Sequence, residues 1–418
     1  MLYRTALYFK KWILIFVPQP VMQKIKTKML KSAFPIEKKQ GIITSFGEDG
    51  INLVGYARAE MGIGESCRIA ANCLNSVNIP FGIINFIGTN SARMTDTTWI
   101  HKEMNIPIYN VNVFHINAEQ MVEVYANYGN DIFNNKYNIG FWHWELPDFP
   151  ERWLDSFGLV NEIWVPSTFI ADSIAQKSPV PVVKIPHGIE VLIKEARDRE
   201  FYGLPENRFL FLSMYDVKSY QERKNPQASI KAFKLAFKHD DSSVGLVIKL
   251  NSNSDEIKDI FELEQLIGDY QNIFLIKKVL SRNDTNALLN VIDCFVSLHR
   301  SEGFGLGLAE AMYLGKPVIG TNWSSNTDFM RSDNSCPVDY DLVTLGNDYG
   351  PYEAYQYWAE AKVEHAAFYM QKLTEDEGFR EGISQRGQQT IRTEYSPQKV
   401  GELVEKRLKY IKLWSSGG

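Results

Sequence analysis

A chain of 418 residues exceeds what one hydrophobic core serves and fits two domains. Its 44% hydrophobic and 23% charged residues are an ordinary globular balance, which excludes a low-complexity or disordered chain. The formal net charge of −5 offers no basic excess for nucleic acid, and no such partner is expected.

That charge is unevenly spread. Residues 1–40 carry nine Lys/Arg against one Glu, a net +8, which leaves −13 for the remainder. Leu2 to Val17 is apolar but broken by Arg4, Lys10 and Lys11, with Pro18 and Pro20 behind it. It is too short and too charged to span a bilayer, and no small-residue cleavage site follows it. Residues 1–44 are expected to form a basic amphipathic segment. Phe9, Trp12, Ile13 and Phe16 among the cations fit a helix lying on an anionic membrane surface. A helix packed on the protein, or a basic tail, is the alternative. Cys67, Cys73, Cys294 and Cys336 show no metal-ligand spacing and read as reduced thiols of a cytosolic protein.

A first domain is expected over residues 45–195. Ile51 to Gly55 reads as a strand, Tyr56 to Glu65 as a loop carrying Gly62-Ile-Gly64, and Ser66 to Ser76 as a helix. The two glycines suit either a tight turn or close approach to a ligand. Phe81–Phe86 and Val111–His115 are further strands, and Tyr137 opens another that runs into the aromatic loop Trp142-His-Trp-Glu-Leu-Pro147. A histidine at the carboxyl end of such a strand, His143, stands where substrates dock in an open α/β sheet, or packs between its two tryptophans. In the stretch from Glu162 to Ile174, Ser167 is a candidate helix N-cap. Glu190 to Leu204 is the expected hinge.

The second domain, residues 205–395, opens with a strand from Phe209 to Met214. A loop containing Lys218, Arg223 and Lys224 follows, then a helix to Phe237. Val244–Leu250 and Ile273–Lys277 are strands, and Asp284–Asn290 is a short helix. Val291–Leu298, Leu306–Leu314 and Pro317–Gly320 read as strand, helix and strand, and His299 to Gly305 forms a Gly-rich turn between the first two. Such a unit places its turn at the carboxyl edge of parallel strands. Gly303, Gly305 and Gly307 let backbone approach a ligand, and the helix start offers unpaired N–H groups to an anion. Glu302 precedes this helix and Glu310 lies in its second turn, so both carboxylates can accept hydrogen bonds from the hydroxyls of one ligand. A nucleotide sugar meets both requirements. Asp339-Tyr-Asp341 reads as a solvated loop, Tyr355–Lys372 as a helix, and residues 396–418 hold a closing helix that can cross back to the first domain.

The Glu302-to-Glu310 spacing, with Ser301 to Met312 and Gly315-Lys-Pro-Val-Ile-Gly320 around it, resembles the Glu-x7-Glu motif of retaining GT-B glycosyltransferases of family 4. The likeness extends over roughly residues 50 to 395. It implies an α/β GT-B fold, two Rossmann-like domains facing a central cleft, and hexosyl transfer (mannose or similar) from a nucleoside diphosphate sugar without a metal or cofactor. By the same resemblance Glu302 and His143 contact the transferred sugar, and Glu310 binds the ribose. Gly62, Gly64, Phe304, Gly305 and Leu306 line the donor. Relatives hold the diphosphate with two cations. Lys224 matches the second, while Lys218 and Arg223 compete for the first. Val182-Val-Lys-Ile-Pro-His-Gly-Ile-Glu190 departs from the family's Pro-Asn-Gly-x-Asp segment, with His187 for Asn and Glu190 for Asp. Enzymes of this look build bacterial surface polysaccharides on lipid carriers, which implies a glycan or lipid-linked acceptor at the inner face of the membrane.

Two alternatives stand beside this reading. Gly62-Ile-Gly64 suggests a dinucleotide-dependent oxidoreductase, but the third glycine is missing and Glu302, Glu310 and Lys224 would have no task. A sugar epimerase or phosphorylase shares the fold and is distinguished only by its reaction.

Overall fold

The computed structural model describes residues 48–88, 92–216, 219–251 and 257–415. The basic segment 1–44 and Lys218 lie outside the described residues.

In the first half, β1 (Glu48–Gly55), β2 (Phe81–Asn85), β3 (Tyr109–His115), β4 (Tyr137–Phe141), β5 (Glu162–Val165) and β6 (Val182–Lys184) form a parallel sheet ordered β2-β1-β3-β4-β5-β6. In the second, β7 (Phe209–Asp216), β8 (Val244–Asn251), β9 (Ile273–Ile276), β10 (Cys294–Ser297), β11 (Val318–Thr321) and β12 (Cys336–Val338) are ordered β12-β11-β10-β7-β8-β9. Counted from its own first strand, that is the 3-2-1-4-5-6 order of doubly wound folds. Continuous burial along runs such as Val244 to Leu250 follows from helices covering both faces, which selects unbroken apolar strands over alternating ones.

Strand order decides where ligands bind. Where it reverses, neighbouring connections leave on opposite faces and open a crevice beyond the carboxyl ends. In the second sheet the reversal lies between β7 and β10. The segments after these strands carry Lys224 and Glu302, which meet although they are 78 positions apart. In the first sheet it lies between β1, which feeds the Gly62–Ser76 helix, and β3, which ends at His115.

Several local expectations shift. The first helix starts at Gly62 rather than Ser66, so Gly62 and Gly64 sit in its first turn and not in the loop. Gly64 is needed there by packing, since a Cβ would stand 2.2 Å from the Ala59 carbonyl oxygen. Val291 ends the Arg282–Val291 helix, and the strand behind it begins at Cys294. Tyr355–Lys372 is not one helix. Its Tyr357–Ala361 stretch is β14, paired antiparallel with β13 (Tyr340–Thr344), and a helix follows from Val363 to Glu375. The alanines and glutamates favour a helix locally, but the partner strand and burial of Trp358, Ala359 and Ala361 override that preference. The Asp339-Tyr-Asp341 stretch enters β13 rather than remaining a loop, with both acids exposed and paired to His365 and Lys362.

Two elements tie the halves together. The hairpin β13–β14 sends Leu345, Tyr352 and Trp358 into the aromatic core of the first half, beside Trp142, Trp144 and Trp153. The Pro397–Ser415 helix packs Val400, Val404 and Ile411 against the opposite face of the first sheet, where Arg407 pairs with the fully buried Glu162 carboxylate. Among the described residues no helix is long and apolar enough to cross a membrane. All four cysteines are buried and free.

Candidate active site

Two charge clusters line the second domain's side of the cleft. In the first, the short Gln221–Lys224 helix after β7 aims two cations at the turn after β10. The Lys224 ammonium pairs with one Glu302 carboxylate oxygen, and Arg223 Nη1 lies 3.5 Å from the other. Arg223 also donates to the Ser301 carbonyl at 2.7 Å, and the Glu302 backbone N–H donates to the Ser324 hydroxyl at 2.9 Å. Burial alone would raise the Glu302 pKa, but Lys224, Arg223 and His299 outweigh it and hold the carboxyl at about 2. Burial pushes Lys224 down. Burial also pulls on Arg223, but Tyr352, Glu145 and Glu302 more than offset it and keep the guanidinium charged. The Arg223 Nε is buried without a hydrogen-bond partner among the described residues. Two cations on one carboxylate leave this turn with a net positive charge, and the cations are fixed in place before an anion arrives.

The turn then enters the Leu306–Tyr313 helix. Gly305 takes φ +93°, a left-handed backbone that side chains rarely adopt, and directs the first helical N–H groups at the cleft without a side-chain cap. Phe304 turns inward, its ring 4.9 Å from His187 and 5.3 Å from Phe329 by centroid, so only its backbone faces the cleft turn. Leu306 packs against the cores of both halves.

In the second cluster Glu310, 3% exposed, pairs with Arg282 at the head of the Arg282–Val291 helix. Arg282 also reaches Glu65 at 3.2 Å, and Glu65 holds Arg68 at 2.7 Å. Burial raises the Glu310 pKa against the pull of Arg282. The Gly62–Ser76 helix is thus linked to Glu310 through Glu65 and Arg282.

Beside the Gly-rich turn the first domain contributes a cluster of histidines. His143 Nε2 and His187 Nε2 lie 3.1 Å apart, so one ring donates to the other, and His143 Nδ1 is buried without a partner among the described residues. Burial lowers His143 to about 4 and His115 to about 3, while His187 falls well below its ordinary value. His143 borders the Gly-rich turn, its Cβ 3.8 Å from the place a Gly303 Cβ would take.

The structure therefore brings Glu302, Arg223, Lys224 and His143 to one turn, and Glu310 to a neighbouring pocket of charge. Sequence reasoning missed Arg282, Glu65, Glu145 and Tyr352. None of them carries a spacing signal, because each is recruited from a different element. His187 was visible only as a departure from a family pattern.

Two facing Rossmann-like domains with this cleft constitute the GT-B fold. Residues 194–336 match the family described as glycosyl transferases group 1. The serotype-specific mannosyltransferase WbdA of Escherichia coli is 29% identical over 133 residues, 32% of this chain and 16% of that protein. The match thus spans about a sixth of that relative's length. Among solved structures, sucrose-phosphate synthase from Thermosynechococcus elongatus has a TM-score of 0.63 at 12% identity, over 88% of this chain and 100% of that one. Anabaena HepE in complex with UDP and glucose gives 0.61 at 13% identity, over 87% and 100%. S. aureus TarM gives 0.52 at 15%, over 72% of this chain and 54% of that one. At these identities the structural likeness concerns the fold. None of these matches supports the oxidoreductase alternative.

Proposed function

We propose that the protein transfers a hexosyl group from a nucleoside diphosphate sugar to an acceptor hydroxyl, with retention and without a metal. The observation that carries this reading is the Glu302 carboxylate clamped by Lys224 and Arg223 at the head of the Leu306–Tyr313 helix, facing His143 across the turn. In this reading the diphosphate displaces the internal pairing. It settles on Lys224, Arg223 and the helix N–H groups, which stabilise the charge growing on the leaving group. Glu302 and His143 are then left to the sugar hydroxyls, while Glu310, still held by Arg282, accepts from the ribose. The bond from the anomeric carbon to the phosphate oxygen breaks with its electron pair going to the diphosphate. The acceptor oxygen bonds to the same carbon, and its proton leaves with the diphosphate. The group 1 match and the UDP-and-glucose complex of HepE support this assignment.

The test is a donor panel of UDP-glucose, UDP-N-acetylglucosamine and GDP-mannose. A true donor raises the melting temperature, because it binds only the folded state, and releases nucleoside diphosphate on turnover. No stabilisation and no release from any of the three would sink the reading. WbdA favours mannose as the first sugar to try. We extend the proposal to a lipid-linked glycan acceptor, approached from the inner membrane face by the +8 segment 1–40. Each engaged cation is worth about 1 kcal/mol at an anionic surface. Deleting residues 1–40 should abolish sedimentation with phosphatidylserine vesicles while donor hydrolysis persists. Unchanged vesicle binding would remove the membrane part of the proposal.

A further inference from the structure

The β13–β14 hairpin holds one carboxylate of the first domain at the cleft. Its connecting residues 345–356 carry Tyr352, which is 4% exposed, with ring centroids 5.5 Å from both Trp144 and Tyr220. The Tyr352 hydroxyl donates to Glu145 Oε2 at 3.1 Å. The loop is fixed from both sides of the cleft. Arg152 pairs with Glu353 and donates to the Pro351 carbonyl at 2.6 Å, and Tyr355 bonds Asp148. At the base of the hairpin, Glu360 accepts from Arg300 and, at 3.2 Å, from Asn225. The Ser301 hydroxyl in turn bonds the Glu145 carbonyl, joining the aromatic loop to the turn that carries Glu302.

These contacts leave Glu145 beside the reacting turn, its Oε1 3.6 Å from where a Gly303 Cβ would stand. Oε1 has no hydrogen-bond partner among the described residues, and the two cations nearby, Arg223 and Lys224, are committed to Glu302. Anchoring Tyr352 alone would need one neutral oxygen, and a second, charged one adds a desolvation cost without return. Arg223 and Lys224 feel the Glu145 charge but make their ion pairs with Glu302, so the Glu145 Oε1 is left to a ligand that offers hydroxyl donors. Glu145 belongs to the first domain, opposite the Glu302, Lys224 and Arg223 cluster that the donor would occupy.

We propose that Glu145 binds a sugar hydroxyl of the acceptor and orients it towards the donor, with Tyr352 as the residue that positions the carboxylate. This rests on the glycosyl-transfer reading of the same cleft. The experiment uses the full chain, the three donors above, and the methyl α-glycosides of glucose, mannose and N-acetylglucosamine as acceptors, with transfer and donor hydrolysis measured separately. Glu145→Gln should lower transfer kcat/KM by about tenfold or more, with a raised acceptor KM, while donor hydrolysis and UDP or GDP affinity stay within about twofold. Tyr352→Phe should move the acceptor KM the same way by less. Equal losses in hydrolysis and transfer would place Glu145 on the donor and overturn the proposal. So would unchanged transfer in a folded Glu145→Gln protein, or a wild-type protein that hydrolyses a donor and glycosylates none of these sugars. A wild-type protein that turns over none of the donors removes the glycosyl-transfer reading itself, a separate failure.

Discussion

The two walls of the cleft are built from opposite materials. On the second domain's wall the carboxylates of the site are paired with cations, Glu302 with Lys224 and Arg223, Glu310 with Arg282. On the first domain's wall three histidines, His115 and His187 buried and His143 half-buried, surround Phe141, with centroids 4.5 Å away for His115 and 5.5 Å for both His143 and His187. Fixed charges in a low-dielectric crevice act on an anion and leave a neutral ring largely untouched. Flat, uncharged imidazoles offer shape and single hydrogen bonds. The difference fits the proposed division of the cleft, with a phosphate-bearing ligand on one wall and a polyhydroxyl one on the other.

The sharpest way to break that contrast is to remove charge from the first wall described. Lys224→Ala should lower turnover by about 10²-fold or more, as for loss of one preorganised charge-stabilising donor. Arg223→Ala should lie within about tenfold of it if the two cations share the diphosphate. Both are read as nucleoside diphosphate released per second. Glu302→Gln should also depress turnover while sparing nucleotide affinity, since its sugar contact strengthens only as charge develops. Full activity in all three variants would mean that this turn does not hold the diphosphate.

A smaller effect separates the two carboxylates. Glu310→Ala should chiefly raise the donor KM, because a ribose contact is similar in ground and transition states. Arg282→Ala strips the buried Glu310 of its cation. Arg282 is partly exposed, so the cost in urea unfolding should be about 1–3 kcal/mol, below that of a fully buried pair. An Arg282→Ala protein as stable as wild type would show that Glu310 is neutral in the folded chain.

The histidine wall should announce itself in pH dependence. His115, His143 and His187 have folded pKa values below the ordinary 6.5, at about 3, about 4 and well below it. As pH falls, the unfolded chain takes up protons that the folded chain refuses. Stability present above pH 6.5 is therefore lost as pH drops towards about 4, by about 1.4 kcal/mol per pH unit for each histidine that stays neutral. Glu302, with a folded value of about 2 against 4.5, adds its own loss only below pH 4.5. Glu310, raised by burial, works in the opposite sense. Urea unfolding at pH 7.5 and 5.0 should show the decline, and His187→Asn should remove about one proton's share of it. A flat profile would mean that the histidines are solvated.

This contrast also governs what could be read from the sequence. The charged wall was legible because Glu302, Gly305 and Glu310 lie in one continuous stretch whose spacing is fixed by a single turn and helix. Most strands of the sheets were legible too, since fully buried parallel strands read as apolar runs, but the short edge strand Cys336–Val338 was not anticipated. The helix from Ala118 to Tyr128 and the one from Glu377 to Glu394 were not anticipated. The latter is strongly polar along its length, with Ile383, Gly387, Thr390 and Ile391 its buried residues. Arg282, Glu145 and Tyr352 escaped for a different reason. Each meets the site through tertiary contacts across 28, 156 or 207 positions, which no local pattern encodes.

The smallest prediction asks whether the two walls are mechanically coupled. The Ser167 hydroxyl caps the Thr168–Ala175 helix of the first domain by accepting from the Ile170 N–H at 3.2 Å. The same hydroxyl donates across the cleft to the Ser325 Oγ at 2.7 Å, next to Asp328, which takes the Thr168 N–H at 2.9 Å. Ser167→Ala therefore loses a cap and a cross-cleft bond, about 1–2 kcal/mol together, whereas Ser325→Ala loses the cross-cleft bond alone, about 0.5–1 kcal/mol. If the walls unfold as one unit, both variants shift a single cooperative transition, and the difference between them is the worth of the cap. If the walls unfold separately, Ser325→Ala leaves the first transition in place and splits the second from it. Differential scanning calorimetry of the two variants distinguishes these outcomes, and equal shifts from both would show that the cap contributes nothing.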